Sequence, residues 1–419
     1  MLGKFLKAKD ELYSRGGYMF TGFELTEEQK LLQEAVREFA KKEFTPERSR
    51  EYEEKGEFPW DLYRKMCQQG YLSVQIPEEY GGQGLGLLEE LIVIYESTKI
   101  EPLLAYTVWC GVFGVDYLVN FGTHEQKATW LPKLAKGEIV STAMFTEPAG
   151  GSDLTRVLDT RAVKVGDKVW KINGTKTFIT NATIFSVACV LTQTDPNAKP
   201  PYRGQTVFVV ERKPGIDTTL IKGKMGWHCS PTGEVSFSDY EATDDDILGG
   251  PANLNRGFYQ AISFLDESRV KVACAAVATA EAALEKAIQY SKERKAFGRI
   301  IAGFQGLAYR MVDIATKVEL GKSLLFRTAR VVERARHDKT LMDEAVKLAS
   351  MAKWYGARLA VEACDLAIDV LGGYGYIAEY DVERWFRFAK ALEIVEGTKE
   401  IQKNAVARYV LGREAAQYF

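Results

Sequence analysis

The spacing of apolar and polar positions changes character twice along the chain. From about Thr26 to Gly137 it is helical, broken by Gly and Pro turns. Thr26-Glu27-Glu28-Gln29 has the form of a capping box, in which a threonine oxygen and a side chain three positions on satisfy the orphan amides of a first turn. Leu31, Leu32, Ala35, Val36 and Phe39 follow at helical spacing and predict an amphipathic helix. The run from Pro77 to Gly86 holds four glycines, at 81, 82, 84 and 86, which admit positive φ at a high entropic cost, so it predicts a loop, placed near a ligand. Between about Ile139 and Gly250 the pattern shifts to short β-branched and aromatic runs, at 162–165, 169–172, 187–191 and 206–210. Gly166-Asp167, Asn173-Gly174 and Pro200-Pro201 bound them, as in an antiparallel sheet or small barrel. Beyond Pro251 helical spacing returns, near 257–296, 304–336, 340–371 and 398–411, with Val272, Ala276, Ala280, Leu284 and Ile288 along one face. These segments predict a four-helix bundle. The expected architecture is α+β: an extension at 1–22, an N-terminal helical domain at 23–138, a middle antiparallel β domain at 139–250 and a C-terminal helical bundle at 251–419.

Composition narrows the classes of function. The 419 residues suit two or three packed units, and 46% apolar with 27% charged residues is ordinary for a globular protein, which excludes disordered and fibrous classes. The 55 basic and 57 acidic side chains leave a net charge of −2, so no whole-chain field draws nucleic acid or anionic lipid. Residues 251–419 carry 26 basic and 21 acidic side chains; this mild excess suits a phosphate-bearing ligand and equally suits solvated helix faces. Six cysteines, none in a CxxC pair, argue against a zinc ribbon or a disulfide scaffold and for a reducing, cytoplasmic setting. Three dispersed histidines point to no metal centre. The first 23 residues lack the apolar core of a signal peptide, and no run reaches the roughly 20 apolar residues that cross a bilayer.

Four short segments have the residue types for chemistry. Phe145-Thr146-Glu147-Pro148-Ala149-Gly150-Gly151-Ser152-Asp153 pairs consecutive glycines, which let backbone approach a flat or phosphorylated ligand, with two hydroxyls; it is equally readable as a tight turn. Phe178-Ile179-Thr180-Asn181-Ala182 offers an aromatic wall, although a lone Phe is more often core. Gly372-Gly373-Tyr374-Gly375-Tyr376 has the glycines of a helix C-terminus. In Ile394-Val395-Glu396-Gly397-Thr398, a carboxylate between β-branched residues and a Gly stands at a chain reversal. Burial there would raise its pKa and strengthen it as a proton acceptor; the alternative is an exposed carboxylate at a helix N-terminus.

Taken together and in this order, the four segments resemble the acyl-CoA dehydrogenase family of flavoproteins, as do Glu293-Arg294-Lys295-Ala296-Phe297-Gly298 and Leu371-Gly372-Gly373-Tyr374-Gly375. The resemblance runs from about Phe23 to Phe419. It implies FAD held between the β domain and the bundle, facing an acyl-CoA thioester. Glu396 matches the base that removes the α proton while a hydride leaves the β carbon for the flavin. The resemblance also implies that its backbone N–H, with a ribityl hydroxyl of FAD, stabilises the charging carbonyl oxygen. Phe145, Thr146, Gly151 and Ser152 match positions along the flavin, with Ser152 also touching the pantetheine arm. Phe178 stands where many members place a Trp, Thr180 matches a hydroxyl near N5, and Thr398 falls among the cofactor contacts. Asp266, Arg269, Val395 and Gly397 match positions beside the substrate. Arg294, Phe297 and Gln305 match residues that complete a neighbouring subunit's FAD, with Gly372 and Gly373 beside the pyrophosphate, which implies a homodimer or homotetramer.

Three departures stand out. Asp369 occupies a place where members often carry Gln near the FAD phosphates, and an anion there needs a neutralising cation. Ala296 lacks a hydroxyl seen in relatives. Val395 replaces a common Tyr, which predicts a pocket widened for a branched, alicyclic or aryl-bearing acyl group. The stretch Glu101 to Thr107 lacks the Arg that members acting on glutaryl-CoA use, which disfavours that substrate. The expected function is dehydrogenation of an acyl-CoA to the 2-enoyl-CoA, with electrons passed to an electron-transferring flavoprotein. Two rivals are an acyl-CoA oxidase using oxygen and a nucleic-acid-binding damage-response relative. Glu396 speaks against the flavin monooxygenases built on the same scaffold.

Overall fold

A computed structural model describes residues 24–412 and Glu414; the extension expected at 1–22 lies outside the described residues. Helix α1 (Glu27–Glu43) begins as its capping box predicts: Thr26 Oγ1 accepts from Gln29 N at 3.2 Å and Gln29 Oε1 from Thr26 N at 3.0 Å. Val36 is buried while Leu31 faces solvent, so the apolar stripe is narrower than its spacing suggested. Helices α2 (Pro46–Lys55), α3 (Trp60–Gln68), α4 (Leu87–Ile100), α5 (Pro102–Trp109), α6 (Val115–Phe121) and α7 (His124–Ala135) complete the N-terminal part. α4 and α5 are buried on almost every side; α5 is nearly all apolar, whereas α4 also buries Glu90 and Glu96. The 77–86 segment is a loop with one short turn at Glu78–Tyr80. At Gly82 the need is packing, since a Cβ there would sit 2.0 Å from Ile76 O, whereas one on Gly81 would meet nothing within 4 Å.

The middle sheet holds β1 (Ser141–Met144), β2 (Arg161–Lys164), β3 (Val169–Ile179), β4 (Val187–Gln193), β5 (Gln205–Glu211), β6 (Ile216–Leu220) and β7 (Gly233–Thr243). The order is β1-β4-β2-β3-β7-β6, with β5 also on β4. The sheet is mixed rather than wholly antiparallel, because β1 and β2 both run parallel to β4. Strands that reach β4 by long crossovers are not constrained to hairpin geometry. Asn173-Gly174 is not a turn either. Gly174, at φ +139°, sits inside β3 at a register shift against β7, where a Cβ would meet Thr160 Cα at 2.5 Å. An Asn-Gly pair signals a hairpin, but the same glycine freedom serves a bulge.

Helices α8 (Gly257–Glu293), α9 (Gln305–Ala335) and α10 (Met342–Leu371) form the long members of the bundle, joined by α11 (Val382–Leu392) and α12 (Lys399–Val410). Val272, Ala276, Ala280 and Leu284 are buried along α8 as their spacing predicts. α8 stops at Glu293, and the chain forms a small hairpin of β8 (Lys295–Ala296) and β9 (Arg299–Ile300) before α9. α10 ends at Gly372, φ +62°, a position suited to glycine. Among the described residues no helix is long and apolar enough to cross a membrane, and all six cysteines are free and buried.

Candidate active site

A cleft of about 650 Å³ is lined both by the β domain and by the helices around it. Its β-domain wall is the turn after β1. Glu147 and Gly150 close that turn through paired backbone bonds of 3.1 and 3.0 Å, and Thr146 O accepts from Thr177 N at 2.9 Å. Phe145, Thr146, Gly151 and Ser152 all line the cleft. What holds the turn was not singled out from sequence. The Glu147 carboxylate is closed off from solvent and accepts from Lys176 Nζ at 2.9 Å, Thr160 N at 2.9 Å, Asp159 N at 2.8 Å and the Arg156 guanidinium. Lys176, fully buried, also donates to Phe145 O at 3.1 Å. Although burial works against the charge, these donors hold Glu147 at about 2.

Phe178 and Thr180 line the same cleft at the end of β3. Phe178 adopts φ +56° and is 67% exposed, so it is an open aromatic wall and not core. Asn181, at φ +61°, anchors the bend through Nδ2 bonds to Cys110 O at 2.7 Å and Ser141 O at 3.1 Å. Tyr106, Cys110, Phe113, Trp227, Val272 and Val395 supply an apolar end. Trp227 Nε1 donates to Thr107 Oγ1 at 2.7 Å, which fixes the indole against Tyr106.

Glu396 enters from the reversal between α11 and α12. It adopts φ +54° and Gly397 φ +90°, and both line the cleft with Thr398, which caps α12 through Ile401 N at 3.4 Å. Glu396 as a residue is only partly shielded, yet its Oε2 is closed off from solvent and has no hydrogen-bond partner. Burial raises its pKa above the usual carboxylate range, while the Ser268 hydroxyl, Arg269 and Lys353 work the other way. Such a carboxyl is a stronger proton acceptor than a solvated one.

The remaining expected residues distribute unevenly. Asp266 and Arg269 on α8 are buried and paired at 2.8 Å; they do not line the cleft, and burial pushes Asp266 up to about 6. Arg294, Gly372 and Gly373 line a second hollow of about 520 Å³, with Tyr290 and Tyr374. A Cβ on either glycine would meet nothing within 4 Å. Phe297, 95% exposed at φ +50° in the β8–β9 hairpin, lines neither hollow, and nor do Gln305 and Asp369. Gln305 bonds the Tyr309 hydroxyl. Asp369 pairs with Arg310 at 2.6 Å, both side chains half exposed.

Comparison with known proteins places the whole arrangement. Family models for the N-terminal, middle and C-terminal domains of acyl-CoA dehydrogenases match residues 26–138, 142–240 and 255–411. Subunit CarC of the caffeyl-CoA reductase-Etf complex of Acetobacterium woodii is 34% identical, over 92% of this chain and 99% of its own. The cyclohex-1-ene-1-carbonyl-CoA dehydrogenase of Syntrophus aciditrophicus is 35% identical, over 93% and 91%. The crystal structure of an acyl-CoA dehydrogenase from Geobacillus kaustophilus superposes with a TM-score of 0.83 at 33% identity, covering 93% of this chain and 99% of that one. The chain therefore belongs to the acyl-CoA dehydrogenase family, FAD-dependent oxidoreductases that act on CH–CH bonds.

Proposed function

We propose that this protein oxidises the α,β bond of a branched, alicyclic or aryl-bearing acyl-CoA thioester, with Glu396 as the base, and passes the electrons to an electron-transferring flavoprotein. The residues fit FAD: Phe145, Thr146, Gly151, Phe178, Thr180 and Thr398 offer an aromatic and hydroxyl-rich wall, and Arg294 with the open glycines 372 and 373 offers a recess with a cation for the phosphates. FAD, when bound, supplies the acceptor for the hydride that leaves the β carbon. Glu396 takes the α proton. That proton is too weakly acidic for an ordinary carboxylate, so the carbonyl oxygen needs a donor as it charges. The backbone N–H of Glu396 is assigned that role. Tyr106, Phe113, Trp227 and Val272 keep water away from the reacting carbons and so strengthen both interactions. Ser152 steers the pantetheine arm, and Arg269 acts at one remove, favouring the ionised form of Glu396.

The observation that carries this reading is the shielded, unpartnered Oε2 of Glu396 at the cleft. Val395, where a larger ring would fill space, together with the Tyr106 and Trp227 wall, supports a bulky or planar acyl group. The names of the two relatives, one caffeyl and Etf-linked, one alicyclic, point the same way. The exposed Phe297 hairpin and the Arg294 recess support a dimer or tetramer in which one copy completes the cofactor site of another. The free cysteines suit a cytoplasmic setting. Anaerobic titration of the FAD-loaded protein with a panel of acyl-CoAs tests the reading. Bleaching of the flavin by aryl or alicyclic thioesters, followed by reoxidation with electron-transferring flavoprotein, is expected. Bleaching by short straight chains alone would overturn the substrate class, and fast reoxidation by oxygen would make the protein an oxidase.

A further inference from the structure

The reversal that presents Glu396 is poorly supported by its own backbone. Glu396 and Gly397 both take positive φ, and glutamate does so only when its surroundings impose it. The carbonyls of residues 393, 396 and 397 instead meet side chains from two other places. Lys353 Nζ, on α10, donates to Glu393 O at 3.2 Å and to Gly397 O at 2.8 Å. Gln402 Nε2, on α12, donates to Glu396 O at 3.1 Å and Gly397 O at 3.2 Å. Both side chains are fully buried. Lysine is seldom buried without a partner carboxylate, yet among the described residues Lys353 forms no ion pair. An ammonium spent wholly on the carbonyls that flank one residue fixes where that residue points.

We infer that Lys353, assisted by Gln402, is a positioning residue that clamps the reversal so that the Glu396 carboxylate meets the α carbon of the substrate. The inference rests on the reading of Glu396 as the base. Charge around the clamp is mixed. Glu396, Glu393 and Glu400 favour the ammonium form of Lys353, while burial and Arg269 oppose it, leaving the amine at about 8. In return Lys353, Arg269 and the Ser268 hydroxyl favour ionised Glu396. Removing the ammonium therefore loosens the base and raises its pKa together.

The test uses FAD-loaded Lys353→Met, Lys353→Arg and Gln402→Met, with single-turnover flavin reduction by an active acyl-CoA. Binding is read separately with 2,2-dimethylpropanoyl-CoA, which has no α proton to lose. Lys353→Met should slow reduction about 100-fold, the order expected for a base displaced by an ångström, and shift the acid limb of the pH–rate profile upward. The dissociation constant for the unreactive thioester should stay within about threefold, because the clamp touches backbone and not ligand. Lys353→Arg should recover part of the rate, and Gln402→Met should slow reduction by about tenfold, half of the clamp remaining. Should Lys353→Met fail to retain FAD, the other two variants decide. Reduction at the parent rate with an unmoved acid limb, or a loss confined to thermal stability, would overturn the inference. The base assignment fails separately: Glu396→Gln that still reduces flavin removes it, whereas an inactive Glu396→Gln beside a fully active Lys353→Met removes only the clamp.

Discussion

Two buried carboxylates line the same cleft and are treated in opposite ways. Glu147, in the turn after β1, accepts from a lysine, an arginine and two backbone amides, and sits at about 2. Glu396, in the reversal after α11, keeps one shielded oxygen with no partner, and its pKa is raised. Burial alone does not distinguish them; the supply of donors does. A carboxylate with every lone pair engaged is a structural strut, while one left short of donors is held ready to accept a proton.

The largest effect that would sharpen this contrast comes from the strut. Lys176→Met leaves Glu147 buried without its main counter-charge and should destabilise the fold by about 3–5 kcal/mol, read from the urea midpoint. Acid should do the same to the parent protein more gently. Because the folded pKa of Glu147 is depressed, its contribution is present at neutral pH and is lost as pH falls from the ordinary glutamate range toward about 2. Far-UV circular dichroism against pH checks this. A Lys176→Met protein as stable as the parent would break the contrast.

A smaller effect concerns the pocket beside Glu396. Val395→Tyr fills space at the apolar end of the cleft and should cost bulky acyl-CoAs about 1–3 kcal/mol, or roughly 5- to 150-fold in kcat/KM, while sparing short straight chains. Equal losses on both classes would argue against Val395 as a determinant of substrate size. The smallest effect is on stability at Glu396 itself. The raised pKa of Glu396 means that the fold disfavours its charge, so stability is lost as pH rises from the unfolded value through the folded one. Glu396→Gln should therefore melt higher than the parent at pH 8 and no higher at pH 4, by differential scanning fluorimetry.

Much of the helical architecture could be read from spacing, because Val272, Ala276, Ala280 and Leu284 recur on one face of a long helix and bury together. The Glu396 reversal was also readable, since β-branched residues followed by Gly-Thr mark a break and a new cap. Other features were hidden for physical reasons. β1 and β6 escaped notice because β1 is four residues buried on both faces and β6 buries none of its five residues, so neither has an apolar stripe; β7 went unread although its burial largely alternates. Gly174 was misplaced because bulge and hairpin glycines have the same signature. Lys176 and Lys353 were missed because a buried lysine is indistinguishable from a solvated one until its partners are known. Gly82 misled in the other direction: close packing against Ile76 asks for the same absence of a Cβ as a ligand does.

The role of Glu396 is tested most directly by stopped-flow mixing of anaerobic, FAD-loaded Glu396→Gln with an acyl-CoA that bleaches the parent flavin. Amide and carboxylate are nearly the same size, so FAD and thioester should still bind, while the bleaching rate should fall at least 100-fold, the usual contribution of a positioned base. Bleaching at close to the parent rate would show that the proton leaves by another route and that the unpartnered oxygen has a different purpose.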